Sequence, residues 1–206
     1  MPELPPVVLV VLAYVLGSIP AAHIAGRAHG IDLRKQGSGN LGATNVVRVL
    51  GWKTGVAVFL FDAAKGALPV LLFPRWSTGE FHPELLALAY GIAAIAGHVR
   101  PVFLKFGKGG KGVATASGVF VGLAPIPMLV SFAAFVAVVL VSGYVSLGSL
   151  VSAVVLVAML GYTVGVASPK FIVSVLLAAF VFWTHRANIG RLRRGEEHRF
   201  GRKAAS

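Results

Sequence analysis

From Val113 to Leu140 the chain carries no charged side chain, and apolar runs of similar character recur between its few charged clusters. A helix needs about 20 apolar residues to cross roughly 30 Å of hydrocarbon at about 1.5 Å per residue, whereas a helix in water keeps one polar face. With 56% hydrophobic and only 13% charged residues in 206, and a mean hydropathy of +0.81, the chain has more apolar surface than so small a soluble body can bury. The expected fold is all-α, a polytopic transmembrane helical bundle forming a single domain over residues 1–206. Seven candidate spans emerge, at 5–26, 51–73, 83–98, 113–123, 125–142, 147–166 and 169–184. The fourth is short unless 109–114 joins it. The 25 glycines allow close helix contact in lipid, where van der Waals packing replaces the hydrophobic drive.

The net charge of +12 raises nucleic acid as a partner, but the placement of the cations argues for topology instead. Of the 19 Lys and Arg, 16 fall in three segments, 27–53, 100–111 and 186–203. The positive-inside rule puts all three on the cytoplasmic side, and the stretch 74–84, with two acids against one Arg, outside. An amino terminus outside and a cytoplasmic carboxyl terminus satisfy this with seven crossings, and five would keep the same parity. The apolar start lacks a basic flank and a small-residue cleavage site, so it reads as a retained span. No Cys is present, which removes a disulfide framework, a thiolate nucleophile and Cys-based metal sites from consideration.

Polar motifs gather in the basic segments. Gly37 to Asn45 reads GSGNLGATN and is followed by Arg48; such residues make either a flexible turn or a backbone concavity for an anion before a helix N-terminus. Gly107 to Thr115 reads GKGGKGVAT. Its glycines permit a ring of amides, Lys111 supplies a point charge and Thr115 a hydroxyl, although the spacing is not that of a Walker A loop. The bland alternative is a basic loop on anionic headgroups. His185 and Asn188 stand i and i+3 on a helical reading, aimed at one volume, and a structural hydrogen bond is the plainer role for the histidine. Asp62 and Lys65 share that spacing inside the second span, where an ion pair is the expected structural role, and His98 is open between cap, core and substrate contact.

Taken in order, GSGNLGATN with Arg48, FDAAKG, GHVRPVFLKFGKGGKGVAT, YVSLGS and HRANIGRL with GEEHRF resemble the PlsY family of bacterial acyl-phosphate:glycerol-3-phosphate acyltransferases, from about residue 16 to 200. The resemblance implies a multi-pass enzyme of the bacterial cytoplasmic (inner) membrane with its active site facing the cytoplasm. Its reaction would move a fatty acyl group from acyl phosphate to glycerol 3-phosphate, giving lysophosphatidic acid and phosphate. Ser38, Arg48, Lys111, His185 and Asn188 would be catalytic. Gly39, Asn40, Thr44, Asn45, Lys108, Gly109, Gly110, Gly112, Thr115, Ser149 and Arg186 would bind substrates, and Glu196 would be structural alongside Asp62 and Lys65. Gly107, as an extra residue before the loop, and Gly143, where a basic residue is common, depart from the family pattern.

Such a reaction needs no protein nucleophile, cofactor or metal, because acyl phosphate already carries a good leaving group. Membrane lipid and the two reactants are the expected partners; nucleic acid and an obligate protein partner are not. The H-x-x-x-x-D pattern of another acyltransferase class is absent at all six His, and seven scattered acids offer little to Mg²⁺. A carrier for a phosphorylated solute is the rival from another class, but it calls for polar groups near the midplane of several spans, and only Asp62 and Lys65 lie deep.

Overall fold

The structure is a computed structural model that describes residues 3–200; Arg202 and Lys203 of the third basic segment lie outside them. Ten α-helices account for most of the described residues: α1 (Pro6–Gly17), α2 (Ala21–Ala28), α3 (Ala43–Leu50), α4 (Trp52–Leu72), α5 (Pro83–Val99), α6 (Val113–Leu123), α7 (Pro125–Ser142), α8 (Val145–Val164), α9 (Pro169–Thr184) and α10 (Arg186–Arg193). The strand-like pairing among the described residues is one isolated bridge between Leu4 and Ser77. Proline opens α1, α5, α7 and α9, at the position where its missing N–H leaves no bond unmade. Gly143, at φ 75°, closes α7 in the left-handed conformation that a side chain resists.

Five stretches among the described residues are long and apolar enough to cross a membrane, Pro6–Ala28, Trp52–Trp76, Pro83–Leu104, Pro125–Ser142 and Val145–Val164. A sixth results if α9 and α10, bent by 59°, count as one span. α6 has 11 residues, about 16 Å of helix, or roughly half the hydrocarbon thickness. Large apolar side chains stay outward on these helices, Leu140 at 80% and Val141 at 90% exposure among them, as befits surfaces solvated by lipid rather than water.

The chain divides into two compact units between Leu123 and Ala124. In the first, α1 packs on α5 and α4 on α6, and glycine sets the approach. A Cβ on Gly17 would strike the Ala94 backbone, and one on Gly66 or Gly118 would strike the Thr115 or Ala63 carbonyl. Small residues let the backbones meet, the packing available where lipid removes the hydrophobic drive. One core of this unit gathers Leu9, Ala13, Phe73, Leu86, Tyr90 and Ala93; a second gathers Ala22, Leu33, Leu41, Val46 and Val58. In the second unit α8 lies between α7 and α9, and the buried Ser131 hydroxyl donates to the Ser152 carbonyl at 2.6 Å across α7 and α8.

Candidate active site

The first polar motif is held by its apolar neighbours. Leu33, Leu41 and Val46 are buried together with Val58 of α4, each such burial contributing about 2 kcal/mol. This pins both ends of the loop between them. Asn45, 1% exposed, fills the loop from inside: its Oδ1 accepts from the Ser38 N–H at 2.8 Å, and its Nδ2 donates to the Leu33 and Gln36 carbonyls at 3.2 and 3.0 Å. Sequence reasoning expected Asn45 to touch substrate; its amide is instead spent on shaping the loop. Gly37 and Gly39 take left-handed φ of 60° and 68°. Ser38 and Thr44 are exposed on this scaffold, and the Arg48 side chain runs past Gly37, its Cδ 3.4 Å from where a Cβ there would stand. Asn40 keeps a buried Oδ1 without a hydrogen-bond partner among the described residues. Upstream, Arg34 hydrogen-bonds Asp32 and holds its carboxyl down at about 2.

The glycine loop is stapled to the end of α5. After Val99 the chain turns through Lys105 and Phe106, both left-handed at φ 52° and 59°. It then returns so that the Gly109 N–H donates to the Val99 carbonyl at 3.0 Å and the Gly110 N–H to the His98 carbonyl at 3.3 Å. Both glycines are buried. A Cβ on Gly109 would collide with the His98 carbonyl, and one on Gly110 with the His98 ring, while also standing 3.0 Å from the Leu41 carbonyl. Leu41 lies inside the first motif, so the two loops touch. Each leads directly into a helix N-terminus, α3 from Gly42 and α6 from Gly112. The first-turn amides of a helix have no partner within it, and the macrodipole adds partial positive charge there. Lys111 is half-buried at the mouth of α6 and Lys108 is exposed. Thr115, fully buried in the first turn, leaves Oγ1 without a hydrogen bond among the described residues.

Beneath the loop lie three buried polar side chains. Lys65 Nζ stands 2.7 Å from Asp62 Oδ1 and donates to the Ile19 carbonyl at 2.8 Å. His98 Nδ1 lies 3.5 Å from the same Asp62 oxygen. These are charge contacts without full hydrogen-bond alignment, since neither Asp62 oxygen meets hydrogen-bond geometry. An unpaired charge in a span is expensive, so the pairing explains how both residues are tolerated.

In the second unit His185 sits at the bend between α9 and α10 rather than inside a continuous helix, which revises the simple i, i+3 picture. Its Nδ1 is 2.8 Å from the Val181 carbonyl, an acceptor only, so Nδ1–H donates to it. Asn188 is buried and donates from Nδ2 to Glu197 Oε1 at 2.8 Å, and Arg191 Nε meets Glu197 Oε2 at 2.8 Å. Glu197, whose side chain is 6% exposed, anchors this corner, while Glu196, expected to be structural, pairs with Arg194 at the surface. GEEH offers two adjacent acids, and sequence alone could not say which turns inward. Ser149 is buried and donates to the Val145 carbonyl at 3.0 Å. Arg186 folds back over Trp183, 4.7 Å from its ring centroid, and donates to the Trp183 carbonyl.

Residues 7–195 match the family described as glycerol-3-phosphate acyltransferase. The chain belongs to that family. It is 47% identical over 189 residues to the glycerol-3-phosphate acyltransferase of Trichlorobacter lovleyi, covering 91% of this chain and 94% of that protein. To the Thermus thermophilus enzyme it is 43% identical, covering 93% and 94%. The crystal structure of PlsY (YgiH), an integral membrane glycerol 3-phosphate acyltransferase, superimposes in its glycerol 3-phosphate form with a TM-score of 0.87 at 39% identity, over 95% of this chain and 96% of that one. Its lysophosphatidic acid form gives 0.82 at 39% identity, over 95% of both chains. This acyltransferase is thus an integral membrane protein.

Proposed function

We propose that this acyltransferase moves a fatty acyl group from acyl phosphate to glycerol 3-phosphate at the cytoplasmic face of a bacterial inner membrane, releasing lysophosphatidic acid and phosphate. The observation that carries the reading is the contact between two glycine-rich loops, each opening onto a helix N-terminus and flanked by Lys111 and Arg48. Two anion-holding ends side by side fit two phosphate-bearing reactants better than one. The solved relatives described with glycerol 3-phosphate and lysophosphatidic acid support the acceptor and product. Outside amino terminus and seven crossings, with α6 and its loop counted as one, keep the three basic segments together.

In this scheme Gly112, Lys108, Lys111 and Thr115 hold the leaving phosphate, on a loop that Gly109 and Gly110 shape. Ser38, Gly39, Asn40, Thr44 and Arg48 position glycerol 3-phosphate. The acceptor hydroxyl oxygen attacks the acyl carbonyl carbon, the carbon–oxygen bond to phosphate breaks, and its electron pair leaves with the phosphate. The hydroxyl proton passes to a base, which the family resemblance makes His185, or directly to a phosphate oxygen. General bases contribute about 10² to 10⁴-fold. His185→Ala separates the two: loss of kcat on that scale assigns the base to histidine, whereas a near-normal kcat with raised KM assigns it to phosphate.

The donor is tested by following phosphate release from acyl phosphate and glycerol 3-phosphate with the purified protein, beside acyl thioesters of coenzyme A and acyl carrier protein. Release that depends on both reactants, with no thioester turnover, is expected. Efficient use of either thioester in place of acyl phosphate overturns the donor assignment.

A further inference from the structure

The chain of contacts running under the glycine loop reaches farther than an ion pair requires. It starts at the Ile19 carbonyl, in the break between α1 and α2, passes through Lys65 and Asp62, and ends at His98. The His98 ring then lies directly against Gly110, and its own carbonyl receives the Gly110 N–H. One turn further along the same face of α4, Gly66 admits the Thr115 carbonyl from the first turn of α6. One turn of α4, Asp62 to Gly66, therefore backs both the loop and the helix end that the loop feeds.

We propose that Lys65, Asp62 and His98 are positioning residues for the acyl donor: through the Gly109 and Gly110 amides bonded to the end of α5 they fix the height and tilt of Gly109–Gly112, and so hold Gly112 and the N-terminus of α6 toward its phosphate. The proposal rests on the reading above that this loop holds acyl phosphate. Simple stability gives a weaker account, because apolar residues of similar volume replace a buried ion pair at little loss, and often with a gain. A preorganised ring of donors, by contrast, loses effect when displaced by a fraction of an ångström. The Asp62 carboxylate, itself steadied by Lys65, orients the imidazole, and the imidazole sets the floor beneath Gly110.

The measurement turns on His98, since changes there leave the Asp62–Lys65 pair in place, while Asp62→Asn strands Lys65 in the span. His98→Ala raises KM for acyl phosphate about tenfold and leaves KM for glycerol 3-phosphate within about twofold. His98→Gln, which can restore a group at the Nε2 position under Gly110, recovers part of that loss; His98→Asn, which restores only the Nδ1 position, does not. Amide hydrogen exchange over 109–112 rises in His98→Ala relative to the rest of α5. Equal effects on both substrates, no effect on either, or recovery by Asn rather than Gln overturns the proposal. Failure of all three variants to fold also overturns it, by making His98 a folding residue. Lys111→Ala is measured alongside: if it keeps normal kinetics toward acyl phosphate, the site reading itself fails, whereas an impaired Lys111→Ala beside an indifferent His98→Ala refutes the positioning role alone.

Discussion

The glycine loop of the first unit and the carboxyl-terminal corner of the second present polar groups in opposite ways. At 107–112 the polar groups are backbone amides, two of which, on Gly109 and Gly110, donate to the Val99 and His98 carbonyls because these residues have no Cβ to hold the chain away from His98 and Leu41. At 185–197 they are side chains held by other groups, His185 by a backbone carbonyl and Asn188 by Glu197. A backbone site tolerates almost no added atom, while a site held by side chains tolerates changes that keep its hydrogen bonds. The two regions should therefore respond differently to small changes.

The largest effect is expected from a single methyl in the first region. Gly110→Ala drives Cβ into the His98 ring, and a displacement of this kind lowers kcat/KM by about 10²-fold; near-normal kinetics in a folded variant would break the contrast at its centre. Next come Lys111→Ala and Ser38→Ala, each expected to lower kcat/KM at least about tenfold, roughly 1.4 kcal/mol of transition-state stabilisation. Wild-type kinetics in both would remove these loops from the reaction.

The second region is sharpened by its two adjacent acids. Glu197→Gln keeps the shape but weakens charge-assisted bonds to Asn188 and Arg191, lowering kcat/KM about three- to tenfold, whereas Glu196→Gln stays within about twofold. Equal effects in steady-state kinetics would show that burial of Glu197 has no functional consequence. The smallest effect belongs to Asp32. Arg34 holds its folded pKa at about 2, below the unfolded value of about 3.9, so its contribution is fully present above about pH 4 and fades as pH falls toward 2. Thermal unfolding of Asp32→Asn and the parent chain in detergent should differ by a constant small amount from pH 8 to 5, and converge on acidification.

Much of this architecture was legible because lipid imposes simple demands. The segments 113–123, 125–142 and 169–184 have the bounds of α6, α7 and α9, since charge, Pro and Gly mark helix ends clearly between apolar runs. The break that divides α1 from α2 at Ser18–Pro20 was not seen, nor was the bend at His185, because neither interrupts the hydropathy that defines a span. The motifs were visible too, but the direction of their side chains was not. Asn45 and Ser38 look alike as polar loop residues, yet one is buried against the loop's own backbone and the other is exposed. Glu196 and Glu197 differ by one residue, about 100° around a helix or a turn of the chain, and only folding decides which meets Asn188.

By itself, then, the order of residues determined that this chain is helical, lives in a bilayer, and carries glycine-rich polar motifs in its basic segments. Hydropathy, charge asymmetry and glycine spacing act locally and need no knowledge of distant neighbours. Tertiary structure alone decided that His98 lies under Gly110, that Leu41 borders the glycine loop, and that Lys65 reaches back to Ile19. Contacts between residues from 12 to 69 positions apart depend on how helices and loops approach one another, and that approach is set by the fit of whole surfaces rather than by any short run of sequence.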